Sequence, residues 1–202
     1  ENYALEDSFI KAIKQSIKFL IVEDPFFLST LLTLPGLTEL ESLFDKLDPL
    51  NLSKESLNFK ISVGKGIQQN LIILLDNIFE NIHHEWPIGR GERKLLGTIW
   101  SYLVLVGDCK VKRICVESIN HSSMTIARAA LAALKPIDCV ETEEASDLFY
   151  KLWQDNPVVL DSWFAYEASR PRNNGIDFVD KLLSHPKFDW KAPNAIRAVL
   201  GG

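Results

Sequence analysis

Histidine occurs four times, cysteine three times and methionine once in this chain of 202 residues, and those scarcities exclude much of the chemistry its length would accommodate. The histidines are His83, His84, His121 and His185. A zinc site of the HExxH kind needs imidazoles at i and i+4 on one helix face, with a glutamate beside the first. No two histidines have that spacing. In His83-His84-Glu85 the neighbouring side chains point about 100° apart on a helix, so they do not chelate as an i, i+4 pair does. Cys109 and Cys115 have no second ligand pair nearby and read as small buried hydrophobes. With Cys139 the count is odd, and the chain is far larger than disulfide-stapled secreted folds, so a reducing, cytoplasmic setting is expected. A G-x-S-x-G serine turn is missing, and Gly64-Lys65-Gly66 lacks the spacing and the following Lys-Ser/Thr of a phosphate loop. Catalytic residues, cofactor-binding residues and metal ligands are therefore all expected to be absent.

Long apolar runs are missing too. Leu71 to Leu75 and Leu103 to Val106 fall far short of the roughly 20 residues of a membrane span. Glu1 to Lys14 is amphipathic, without the basic start and continuous apolar stretch of a signal peptide. The formal charge is −5 and the isoelectric point about 5.4, which excludes a global field drawing the chain to nucleic acid or to an anionic membrane. Neither partner is expected. The chain starts at Glu1 and its one methionine is Met124, so it reads as a piece of something longer.

What is present is helix. Hydrophobic residues make up 47% of the chain, enough for a substantial core, and they recur at helical period between short breaks rich in Pro, Gly, Asn and Asp. The first helix is predicted over 7–22, with Phe9, Ile10, Ile13, Ile17, Leu20 and Ile21 on one stripe. Asp24 and Pro25 then read as a cap and first position of a short helix ending at Leu32. Thr38 and Glu41 have capping-box spacing for a helix through Leu47. A longer run over 53–82 contains Gly64 and Gly66, each costing about 1 kcal/mol relative to alanine, so a bend or split is predicted there. After the Trp86 to Gly91 break, helices are predicted over 92–106, 111–118, 123–134, 142–154, 157–168, 175–184 and 192–200. Their short connections force neighbouring helices to pack antiparallel. The expected fold is all-α, an irregular armadillo-like α-solenoid of helix pairs in a single domain over 1–202, with a possible subdivision near 86–91.

Few charged side chains stand out. Glu141, Glu143 and Glu144 cluster where a helix begins and are expected to complement its positive end. Trp100, Trp153 and Trp163 lie on apolar helix faces and read as core. Arg197, on a short helix with Ile196, Val199 and Leu200, either reaches solvent or points into a groove.

Several segments carry a resemblance. Leu152-Trp153-Gln154-Asp155-Asn156-Pro157, followed by Val158 to Leu160 and Asp161-Ser162-Trp163-Phe164, resembles an element of the carboxy-terminal domain of zinc aminopeptidases of the aminopeptidase N (alanyl aminopeptidase) type. There a helix ends in a polar turn and the next runs into Asp-Lys-Trp-Phe; Ser162 replaces the lysine. Met124-Thr125 with Ala130-Leu131, Gly91 to Leu95, Thr33-Leu34-Pro35, Phe44-Asp45, Asp48-Pro49 and Pro193-Asn194-Ala195-Ile196-Arg197 are similar to family elements in the same order. Ser123 and Ile126 depart from the family's Asn and acidic residue around Met-Thr. The likeness is dense after Gly89 and thin in the first 80 residues.

The resemblance implies a non-catalytic domain that encloses the active-site cavity of a zinc aminopeptidase and gates peptide access. It implies zinc in the parent's catalytic domain, which bears the HExxH and G-x-M-E-N motifs missing here, and no cofactor in this chain. The partners it implies are that catalytic domain and peptide substrates. It also makes Arg197 and Asn194 candidates for the cavity wall. The chain alone is expected to be inactive, and, as the family domain continues further, to leave an apolar face open at its last helix pair. The alternative is an independent α-solenoid that binds a protein or peptide on its concave face.

Overall fold

A computed structural model describes residues 2–20, 24–44, 46, 48–81 and 88–201, with side chains left aside in 2–6, 19–20 and 79–81. All regular structure among the described residues is helical. The expected subdivision near 86–91 falls largely outside those residues; by packing, the chain divides into two compact units, Glu1–Asp108 and Cys109–Gly202.

The first unit contains α1 (Asn2–Leu20), α2 (Pro25–Leu32), α3 (Leu37–Glu41), α4 (Pro49–Asn81) and α5 (Arg90–Leu103). Asp24 caps α2 as its sequence requires, its Oδ1 accepting from Phe27 N at 2.8 Å, with Pro25 at the first position. The cap of α3 falls two residues earlier than Thr38 and Glu41 suggest: Glu39 Oε2 accepts from Gly36 N at 2.8 Å. The helix starts directly after Pro35-Gly36, so the third-position carboxylate is Glu39, and it ends at Glu41 rather than Leu47. One stripe of α4, Val63, Ile67, Leu71, Leu74, Leu75 and Ile78, is buried. It packs on α1 and α5, and α2 packs on α5. Tyr102 of α5 donates its hydroxyl to the carbonyl of Leu32, the last residue of α2, at 2.7 Å, satisfying a helix-end acceptor inside the core.

A split at Gly64 and Gly66 does not occur; α4 runs through both without interruption. A Cβ at Gly64 would lie 2.9 Å from Val106 Cγ1 and 3.2 Å from Tyr102 Cδ1, and one at Gly66 2.7 Å from Ile10 Cδ1. The glycines admit neighbouring helices, so tertiary packing outweighs the propensity loss that a lone helix would feel.

The second unit contains α6 (Cys109–Ser118), α7 (Met124–Leu134), α8 (Val140–Trp153), α9 (Pro157–Ala168), α10 (Gly175–Leu183) and α11 (Pro193–Leu200). Each lies within two residues of its predicted bounds. Asn156 caps α9, its Oδ1 accepting from Val159 N at 3.3 Å, with Pro157 at the first position. Contacts run α6 with α7 and α8, α7 with α8, α8 with α9, and α9 with α10 and α11. Because α9 is touched by three helices, its apolar residues are spread around it rather than gathered on a stripe. Its outer side joins Leu160 and Phe164 to Leu182, Phe188, Ala195 and Val199 in one buried cluster. At this end Ile176, Trp190 and Leu200 are exposed.

Gly64→Ala gains about 1 kcal/mol of helix propensity and loses about 1 to 3 kcal/mol to overpacking against Val106 and the anchored Tyr102. Net destabilisation of about 1 kcal/mol is expected in urea unfolding. Gly175→Ala, whose Cβ meets nothing within 4 Å, serves as the contrast and should cost nothing.

Candidate functional site

Asn194 and Arg197 stand three residues apart on α11, a spacing that puts them on one side of the helix. Both are exposed, and no polar contact holds either side chain among the described residues. The Arg197 carbonyl caps the helix end by accepting from Gly201 N at 3.0 Å. The two candidate residues are thus brought together and left available.

The remaining sequence candidates divide. His83, His84 and Glu85 lie outside the described residues. The ring nitrogen Nδ1 of His121 accepts from Ser123 N at 2.8 Å, just ahead of α7. His185 is ringed by Tyr150, Trp163 and Phe164, with centroids 5.4 to 5.8 Å away, and its Nδ1 accepts from Lys187 N at 3.1 Å. Burial, with the Lys187 charge, holds its pKa below the usual histidine value. Cys115 is buried as expected, and burial pushes its thiol up to about 12. Cys109 is exposed instead: it opens α6, whose buried face is carried by Val111, Cys115 and Val116. Trp100 is fully buried, while Trp153 and Trp163 are partly so. Among the described residues no three His, Cys, Asp or Glu side chains are placed to hold a metal ion. Zinc therefore has no fitting ligand set there.

The glutamates at the start of α8 do more than complement its dipole. Glu144 forms a two-pronged pair with Arg113 of α6, and Glu143 pairs with Arg170. Arg170 also donates from Nη1 to Glu167 Oε1 at 3.0 Å, while Arg172 donates to Glu167 Oε2. The same Oε1 accepts from Ser146 Oγ at 2.6 Å, and that hydroxyl accepts from Trp163 Nε1 at 2.9 Å. Arg172 lies over the Phe178 ring, 3.3 Å from its centroid. This network joins α8, α9 and the start of α10, and it was not read from the sequence. The available signal was Glu167 with Arg170-Pro171-Arg172 three to five residues on. It borders a cavity of about 480 Å³ lined also by Asp138, Asp147, Asn173 and Asn174. The arrangement fixes backbone and presents polar side chains; it offers no nucleophile with an adjacent base and no oxyanion donor pair.

The whole chain, residues 1–202, matches the family described as "Domain of unknown function (DUF3458_C) ARM repeats". It is 25% identical over 180 residues to aminopeptidase N of Escherichia coli (strain K12), covering 88% of this chain and 21% of that protein. With aminopeptidase N of Haemophilus influenzae the identity is 27% over 174 residues, covering 85% of this chain and 20% of the relative. A crystal structure of Legionella pneumophila aminopeptidase A in complex with aspartic acid superposes with a TM-score of 0.77 at 27% identity, over 91% of this chain and 23% of that one. The chain thus spans about a fifth of the length of the relatives it matches.

Two outcomes follow from the ion network. Glu167→Gln leaves Arg170 and Arg172 without their shared buried counter-charge, and should destabilise the fold by about 3 kcal/mol in denaturant unfolding. Glu143 is held below the usual carboxylate value by the Arg170 hydrogen bond. Its contribution is therefore present above the unfolded value of about 4.3 and is lost as pH falls through the lower folded value. In melts across that range, Glu143→Gln should make the acid-side fall in stability shallower than in the parent chain.

Proposed function

Because this chain belongs to the DUF3458_C family of ARM repeats, we propose that it encloses the active-site cavity of a zinc aminopeptidase of the aminopeptidase N type and gates the entry of peptides. It corresponds to the carboxy-terminal domain of aminopeptidase N-like enzymes. The observation that carries the reading is the combination of an end-to-end family match with coverage of only about a fifth of each relative. Such a segment works as part of a larger polypeptide. The exposed Ile176, Trp190 and Leu200 support that view, since an open apolar end is suited to burial against further parts of the parent. The same coverage weighs against an independent interaction module.

Hydrolysis belongs to the zinc-bearing part of the parent, where the metal supplies Lewis-acid activation. The described residues of this chain supply shape and charge. Arg197 and Asn194, exposed on one side of α11, are the side chains assigned to the cavity wall. A guanidinium there meets the carbonyls and carboxylate of a peptide but has little to hold on a small arylamide. No described helix is long and apolar enough to cross a membrane, and a cytoplasmic setting remains part of the proposal.

The test is Arg197→Ala in a full-length enzyme carrying this chain. Stability should stay within about 0.5 kcal/mol, as for other exposed positions. The KM for peptides should rise about tenfold, the loss of one charge-assisted hydrogen bond, while kcat on an aminoacyl arylamide is unchanged. Identical kinetics on both substrate types would return Arg197 to the solvated surface and remove the side-chain basis of the gating role.

A further inference from the structure

The connection from α10 to α11 is tied down by a histidine. His185-Pro186-Lys187-Phe188 forms a β-turn in which Phe188 N donates to the His185 carbonyl at 2.9 Å, and Pro186 stands at the second position, where its fixed φ favours the turn. The side chain of the same residue closes the turn a second time, Nδ1 accepting from Lys187 N at 3.1 Å. Two further contacts seat the segment. Lys187 Nζ donates to Asp155 Oδ1 at 2.6 Å and to the Gln154 carbonyl at 3.2 Å, at the end of α8. Phe188 enters the buried cluster beside α9, its ring centroid 5.4 Å from that of Phe164.

The imidazole can close this turn only while it is neutral. With Nδ1 accepting, the ring proton sits on Nε2; a second proton turns Nδ1 into a donor that faces the Lys187 N–H. The ring is packed by the phenol of Tyr150 from α8 and by Trp163 and Phe164 from α9. Aromatic rings attract a cation, but burial and then the Lys187 charge outweigh that attraction and favour the neutral ring. Among the described residues no carboxylate pairs with His185 to reverse this. Asp155 is taken by Lys187, and Asp189 accepts from Lys191 N. Asp161 of α9 is held above the usual carboxylate range by burial and by Asp189. Its protonation in acid favours the fold, an effect opposite in sign to that of His185.

We propose that His185 is a pH-sensitive latch: as a neutral imidazole it closes the turn that seats Phe188 and leads into α11, and as an imidazolium it releases that turn. The folded ring holds its second proton less tightly than the unfolded value of about 6.5. The latch is therefore complete above that value and is lost as pH falls from it through the lower folded value. The segment freed is the one that carries the chain into α11, where Asn194 and Arg197 stand. A looser cavity wall in mild acid follows on the gating reading, which the latch itself does not need.

The experiment is amide hydrogen exchange on the 202-residue chain between about pH 7.5 and about pH 5, a range that spans histidine titration, with rates corrected for the intrinsic pH dependence of exchange. Protection of the Lys187 and Phe188 amides should fall about fivefold in acid, the effect of losing one hydrogen bond, while the amides of Phe164 and its neighbours in α9 keep theirs. The fall should follow the His185 ring signal in an NMR titration, with a midpoint below that of an unperturbed histidine. His185→Asn supplies an oxygen that accepts from the amide two residues on and does not titrate, so its protection should be the same at both ends of the range. His185→Phe keeps a ring among the three aromatic neighbours but has no acceptor, and should show the low protection throughout. An unchanged parent, a fall that persists in His185→Asn, or full protection in His185→Phe would each overturn the latch. Peptide kinetics of Arg197→Ala test the cavity wall, so the two readings fail separately.

Discussion

The Glu167 carboxylate organises the second unit. It is buried on α9, and a charge removed from water persists only where other groups replace its hydration. Ser146, Arg170 and Arg172 do so, and each comes from a different place: α8, the end of α9, and the segment entering α10. Satisfying one carboxylate therefore sets the spacing of α8 and α9 and the path of the Arg170-Pro171-Arg172 turn. Trp163 is fixed by the same requirement, through the Ser146 hydroxyl it donates to. Arg170 also lies over the ring of Tyr166, the residue before Glu167, so the same ion network reaches this buried phenol.

The first unit depends on closeness rather than charge. Gly64 and Gly66 let α4 approach Val106 and Ile10 more closely than a Cβ would allow, with Tyr102 in tight contact beside them. Tyr102, held in that approach, reaches the last carbonyl of α2. The long helix thus gathers its neighbours through its smallest residues, and the hydrogen bond needed at the end of α2 is delivered from a different helix.

Many of the polar side chains of the second unit are engaged in holding the fold. Glu143, Glu144 and Glu167 pair with arginines, the described histidines accept from backbone amides, and burial pushes the Cys115 thiol well up. Side chains used up in this way hold a shape. That suits a segment about one fifth the length of its aminopeptidase relatives.

How much of this was legible depends on range. Helical period, prolines at first positions and caps such as Asp24 and Asn156 act within a few residues, so the all-α class and the bounds of α6 to α11 could be read directly. The resemblance that led to the family lay in segments of the same kind, and Asn194 with Arg197 share a helix face by spacing alone. Residues that act across the chain were not legible. Gly64 and Gly66 read as helix breakers because propensity is local, whereas their role is set by Tyr102 and Ile10, far away in sequence. Glu143 read as a dipole partner because Arg170 is 27 positions on, and the α3 cap shifted because turn geometry chose between two nearby glutamates. The sequence by itself determined which stretches are helical and which faces are apolar, since those follow from neighbours along the chain. Only the tertiary structure decided which charges meet, which glycines are needed and which rings surround His185, because each depends on distances that exist only after the helices pack.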